Sequence, residues 1–161
     1  MEIFIDPGRV NFCWVKYDCV NHIVDSFDLI PILSINDITT ILDTFDIPIN
    51  VEIQIANKNY ICARYEHHIE SYCNIKKIPC SRIDSKEKFK ILGVERPSTH
   101  YKRKRLAIAL GKKLIEEKKI TCYDEILLKK QDDLFDCVLM GYTKYKTITK
   151  VKKIKKVKPS L

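Results

Sequence analysis

Glu2-Ile3-Phe4-Ile5-Asp6-Pro7-Gly8 is the stretch from which the rest of the chain is read. Ile3-Phe4-Ile5 has the character of a strand interior, and Pro7-Gly8 of the turn that ends it. Asp6 stands at the junction. Working outward, residues 10–17 read as a second strand joined through Pro7-Gly8-Arg9, and 22–30 as a third that closes an antiparallel meander. Ser34 then has the place of a helix N-cap, with Asp37 in the first turn. Ile35, Ile38, Ile41, Leu42 and Phe45 follow at helical spacing. Pro48 precedes a fourth strand, Ile49-Asn50-Val51-Glu52-Ile53-Gln54-Ile55. Residues 60–73 read as a helix, 75–79 as a short fifth strand and 84–92 as a short helix. Residues 101–119 form a long basic helix and 131–145 the last one. Three strands followed by alternating helix and strand predict a mixed α/β fold.

At 161 residues the chain suits one ordinary domain with a real core. Its mean hydropathy is −0.20. No stretch approaches the roughly 18 apolar residues a membrane span needs, so no membrane partner is expected. Met1 runs straight into strand-like sequence, and no secretory signal is expected there. Seven cysteines, an odd number without C-x-x-C spacing, suggest buried reduced thiols. A zinc site from Cys62, His67, His68 and Cys73 matches no standard ligand spacing.

Charge is unevenly placed. Of the 29 lysines and arginines, eight fall within residues 144–161, where no acid occurs; the remaining 21 balance the 21 acids. The net charge of +8 therefore lies in the tail. Such a block points to a polyanionic partner. Residues 1–146 are expected to form the domain and 147–161 a lysine-rich, flexible tail. Ile148, Val151, Ile154 and Val157 would let that tail become a marginal helix on DNA, while lysine repulsion favours disorder without it.

Four acids in three separate segments carry the chemistry: Asp6, Glu52, and the pair in Asp133-Leu134-Phe135-Asp136. Singly they are bland. Asp-Pro-Gly is a common turn, a strand glutamate can be solvated, and acids at a helix start are favoured by its dipole. Their order is more specific. At i, i+3 the two aspartates share one helical face, roughly 4.5 Å apart along the axis. Two strand carboxylates meeting that pair would form an oxygen-rich site for hard divalent cations, one or two of them about 3.5–4 Å apart. Asp132 could support this site, or replace Asp133 in it if the helix starts later. The basic run Lys102-Arg103-Lys104-Arg105 suggests phosphate contact, although a solvated basic helix looks the same. Arg9 and Asn11 could orient a phosphate or merely support the turn. Tyr60, Tyr65, Tyr72 and Phe12 could stack on unpaired bases, but packing is the commoner fate.

These motifs together resemble the RuvC-like Holliday junction resolvases of the RNase H-like superfamily, especially the poxvirus branch. Ile5-Asp6-Pro7-Gly8 matches the first motif and Val51-Glu52-Ile53-Gln54 the second. Tyr101-Lys102-Arg103-Lys104-Arg105 matches the basic third motif. Asp133-Leu134-Phe135-Asp136-Cys137 matches the fourth, with Cys137 where the family usually has Ser or Ala. The resemblance covers residues 1–146. It implies an RNase H-like, mixed five-stranded sheet flanked by helices. It further implies a homodimeric, Mg²⁺-dependent endonuclease, with Mn²⁺ as a substitute, cutting opposed strands of branched DNA. Asp6, Glu52, Asp133 and Asp136 carry over as metal ligands. Lys104 carries over as the catalytic lysine, with Lys102 as the other alignment. Arg9, Lys102, Arg103, Lys104 and Arg105 would contact DNA, and His67 and His68 would lie at the dimer interface. If the chain is poxviral, it would work in the host cytoplasm on joined viral genome ends. Two other functions remain open: an RNase H-like nuclease on RNA–DNA hybrids or flaps, and a non-catalytic basic nucleic-acid-binding protein.

Overall fold

The computed structural model describes residues 1–55, 57, 59–122 and 131–156, the side chains of 131 and 147–156 excepted. Ten elements follow in order: β1 (Glu2–Pro7), β2 (Phe12–Asp18), β3 (Ile23–Ile30), α1 (Ile35–Leu42), β4 (Ile49–Glu52), α2 (Tyr60–Lys76), β5 (Cys80–Ile83), α3 (Ser85–Leu92), α4 (His100–Glu116) and α5 (Gln131–Lys156). The five strands form one sheet in the order β3-β2-β1-β4-β5. β1, β2 and β3 pair antiparallel, and β4 and β5 run parallel to β1 and to each other.

β1 is central and buried on both faces, which explains its unbroken apolar run. Its side chains alternate between two cores. Ile3 and Ile5 join Ile38, Leu42, Ile49, Val51, Tyr65, Ile69 and Tyr72 on the face covered by α1 and α2. Phe4 joins Tyr17, Ala107, Leu114, Leu134, Phe135 and Val138 on the face covered by α4 and α5. The two long helices pack tightly there. A Cβ added to Gly111 of α4 would stand 2.0 Å from Cδ1 of Phe135 in α5, so only glycine permits this approach.

Local signals account for the helix ends. Ser34 and Asp37 form a reciprocal capping box at α1. Asn59 caps α2, Asp84 α3 and Thr99 α4 through their side-chain oxygens.

The expected fifth strand at 75–79 is a correction. α2 continues to Lys76 and ends where Lys77 adopts a left-handed φ of 59°. β5 lies later, at Cys80–Ile83. It is an edge strand with its middle two residues exposed, so it carries no apolar alternation to read. The last helix also runs beyond the expected residue 145, to Lys156. The lysine side chains from 150 onward, the apolar series from Ile148, and residues 157–161 altogether lie outside the described residues. Of the four aromatics, Phe12, Tyr65 and Tyr72 are core residues, and Tyr60 is exposed.

Candidate active site

Strand alternation and register bring the first two acids together. Asp6 shares parity with Phe4, and Glu52 with Asn50, so both point away from the α1/α2 core and toward α5. Ile5 pairs with Val51 in the parallel ladder, and Asp6 and Glu52 follow side by side at the adjacent strand ends. The N-terminal turns of α5 approach from above. Leu134, Phe135, Cys137 and Val138 are anchored in the core, which turns Asp133 and Asp136 toward the strands. Cys137 is fully buried beneath them, with its Sγ donating to the Cys13 carbonyl at 3.7 Å. The cysteine therefore fits the space of the smaller residue.

Two lysines enter this acid cluster from different helices. Lys88 of α3 is 3% exposed. Its Nζ donates to Oδ1 of Asp136 at 2.6 Å and lies 4.0 Å from Oε1 of Glu52. Lys104 of α4 donates to Asp132 and, at 3.0 Å, to Oδ1 of Asp133. Nδ2 of Asn11 reaches Oδ2 of Asp133 at 3.5 Å.

The electrostatics follow from burial and crowding. Burial pushes the Asp6 carboxyl well above the usual carboxylate range, and repulsion from Glu52, Asp136 and Asp133 adds to this. Lys88 offsets part of it. Burial also raises Glu52, while Lys88 and the hydrogen bonds from Asp6 and Ser85 pull it down. Burial opposes the charge on Lys88, yet Asp136 and Glu52 win and its pKa rises. Lys104 is likewise raised overall: burial opposes its charge, but hydrogen bonds to Asp132 and Asp133 prevail.

These groups line a cleft of about 470 Å³. Asp6, Glu52, Asp133, Asp136 and Lys104 all face it, as do Arg9 and Arg103 from the expected DNA-contacting set. Lys102 and Arg105 do not line it; both are exposed, and the Arg105 guanidinium stacks on Tyr101. Arg103 donates to the carbonyls of Pro97 and Ser98, which holds the loop before α4. Asp132 pairs with Lys104. Sequence reading missed Lys88, Arg96 and His100, which also face the cleft. Lys88 did leave a trace. Ser85, Lys88, Phe89 and Leu92 occupy i, i+3, i+4 and i+7, so the lysine stands on the apolar face of α3.

Among the described residues, no three His, Cys, Asp or Glu side chains stand close enough to hold an ion as arranged. The zinc reading therefore has no support. His68 instead bonds Thr39 at 2.9 Å, and Cys73 belongs to the apolar core. In the acid cleft the ammonium groups of Lys88 and Lys104 stand among the carboxylates. The donor set itself is all oxygen and strongly acidic, which suits a hard divalent cation. The Lys88 ammonium already marks a position where positive charge is stabilised.

No family model and no curated protein matches this chain by sequence. Solved structures do match. The fowlpox virus resolvase, in complex with its substrate Holliday junction DNA, superposes with a TM-score of 0.67 at 13% identity, over 91% of this chain and 99% of that chain. RuvC of Thermus thermophilus superposes at 0.58 and 10% identity, over 92% and 96% of the two chains. The same RuvC bound to a Holliday junction substrate gives 0.60 and 11%, over 92% and 95%. The chain thus has the RuvC-like form of the RNase H-like fold, a mixed five-stranded sheet flanked by helices. Its fold neighbours include a poxvirus resolvase and a bacterial one.

Proposed function

We propose that this chain is a divalent-cation-dependent endonuclease that resolves four-way DNA junctions, working as a homodimer. One observation carries the reading. Acids from two strands and a helix converge in a cleft rimmed by Arg9, Arg96, His100, Arg103 and Lys104. The fold is that of resolvases, two of them solved with Holliday junction DNA.

Asp6, Glu52, Asp133 and Asp136 would hold Mg²⁺, with Mn²⁺ as a substitute. A bound ion there would lower the pKa of a water and stabilise charge on the phosphate and leaving oxygen. The protein's own contribution is positional. The rigid ends of β1 and β4 hold Asp6 and Glu52 at fixed spacing. The basic rim draws the phosphate backbone into the cleft without reading sequence. Lys104 offers an ammonium beside Asp133, where it can meet a phosphate oxygen as negative charge develops. A second copy supplies the second cleft that paired incisions in a two-fold junction require. The tail, residues 147–161, adds phosphate affinity.

The test is cleavage of a labelled immobile four-way junction in Mg²⁺, beside an RNA–DNA hybrid and a plain duplex. Symmetric paired nicks that vanish with Asp6→Asn, from a protein that sediments as a dimer, support the proposal. Cutting of the hybrid alone replaces it with an RNase H-like activity. Tight binding without cutting in Mg²⁺ or Mn²⁺ replaces it with a packaging role.

A further inference from the structure

Lysine is almost never fully buried unless it is paired. Lys88 is buried and paired twice over, with Asp136 and Glu52, and Asp6 is near enough to add to its stabilisation. Two carboxylates thus flank one buried ammonium within 4.0 Å. A purely structural ion pair of this kind is a weak stabiliser, because desolvation offsets most of the attraction. An apolar side chain on the same face of α3 would pack beside Phe89 without that cost. The lysine stands among the oxygens that a cation would need, on a flexible four-carbon stem that can withdraw its charge.

We propose that Lys88 is a built-in competitor for the metal site: its ammonium holds Glu52 and Asp136 together in the metal-free protein, and a divalent ion must displace it from them to bind. The inference rests on the nuclease reading, since it takes the acid cleft to be where an ion binds. Lys88 then sets the affinity for the ion and keeps the acids from repelling one another apart while none is bound. Removing its charge weakens the metal-free fold and strengthens ion binding. Both effects follow from one unit charge a few ångströms from the same carboxylates.

Mn²⁺ binding to the full chain, followed by calorimetry and by the electron spin signal of free Mn²⁺, tests this directly with Lys88→Met, Lys88→Gln and Lys88→Arg. The Met and Gln variants should bind Mn²⁺ about tenfold or more tightly than the parent. They should melt lower in EDTA, and Mn²⁺ should raise their Tm further than it raises the parent's. The Lys88→Arg variant, which keeps the charge, should not gain affinity. Variants unfolded in EDTA that fold on adding Mn²⁺ support the same role. Variants that stay unfolded in saturating Mn²⁺ overturn it. Equal affinity in the parent and the Met and Gln variants, or weaker affinity in those variants, overturns the competitor role and leaves the nuclease reading standing. A parent chain that binds no Mn²⁺ overturns both.

Discussion

The acid cleft has two halves, each centred on a lysine, and they are built differently. In the inner half Lys88 reaches from the short helix α3 into Asp136 and Glu52 and is 4% exposed at its side chain. In the outer half Lys104 reaches from the long helix α4 to Asp132 and Asp133 and is 27% exposed. The inner ammonium is buried against two carboxylates. The outer one opens toward the basic rim, where a phosphate can approach. A lysine sealed among acids answers to the charge inside the cleft, whereas a half-open one can answer to a ligand outside it. The same residue type thus stands sealed beside acids in one half and half-open to the rim in the other.

The largest effect should come from the strand acids Asp6 and Glu52. Asp6→Asn or Glu52→Gln should lower junction cleavage by more than about 100-fold, since even supporting residues around a metal cost 10–100-fold. DNA binding in a gel shift should remain. Cleavage within a fewfold of the parent would remove these acids from the mechanism. Next comes the outer half alone. Lys104→Ala should reduce the cleavage rate by about 10²–10³-fold while leaving Mn²⁺ affinity near that of the parent. An equal loss in both measurements would make the two halves a single unit.

A smaller effect separates the halves mechanically. Gly111→Ala forces α4 away from Phe135 and so should displace Lys104 relative to Asp132 and Asp133. It should cost about 1–3 kcal/mol. At about 2–4 °C per kcal/mol, calorimetry should record that drop in Tm, with Mn²⁺ affinity retained. An unchanged Tm would show that the helix contact is looser than the structure indicates.

The smallest effect concerns pH in the metal-free protein. The folded pKa of Asp6 is raised above its ordinary 3.8, so the fold favours its protonated form. The associated stability is present at low pH and is lost as pH rises through the raised value. Asp6→Asn cannot ionise. In EDTA its Tm should therefore gain on that of the parent as pH climbs from about 4 toward 8. Parallel Tm curves would mean that Asp6 is no more strained by charge than a surface acid.

Much of this architecture is legible in the chain. The first three strands, the capped α1, the Glu52 strand and the acid-bearing last helix show strong periodicity or clear caps. The four acids can be singled out because Asp6 ends an apolar run, Glu52 interrupts one, and Asp133 and Asp136 stand at i, i+3 at the start of an apolar helix. β5 escapes a sequence reading because Cys80-Ser81-Arg82-Ile83 pairs through its backbone at an edge, and backbone pairing leaves no side-chain pattern. Lys88 escapes it because its exposed neighbours Lys86, Glu87 and Lys90 make the segment look solvated, although its place on the apolar face of α3 marks it. The choice between Lys102 and Lys104 is equally closed to sequence, because four cations on successive helical positions fan around the axis.

The sequence by itself determined most of the strands and helices, β5 excepted, and drew attention to the carboxylates set against apolar residues. It could do so because hydrophobic period and capping are local properties, written within a few neighbouring residues. Only the tertiary structure decided that α3 would deliver a lysine into the acids, that Lys104 and not Lys102 would face Asp133, and that the cleft would hold two separate ammonium groups. Those outcomes depend on where elements far apart in the chain come to rest. Charge acts through space between them, and no spacing along a single chain records that distance.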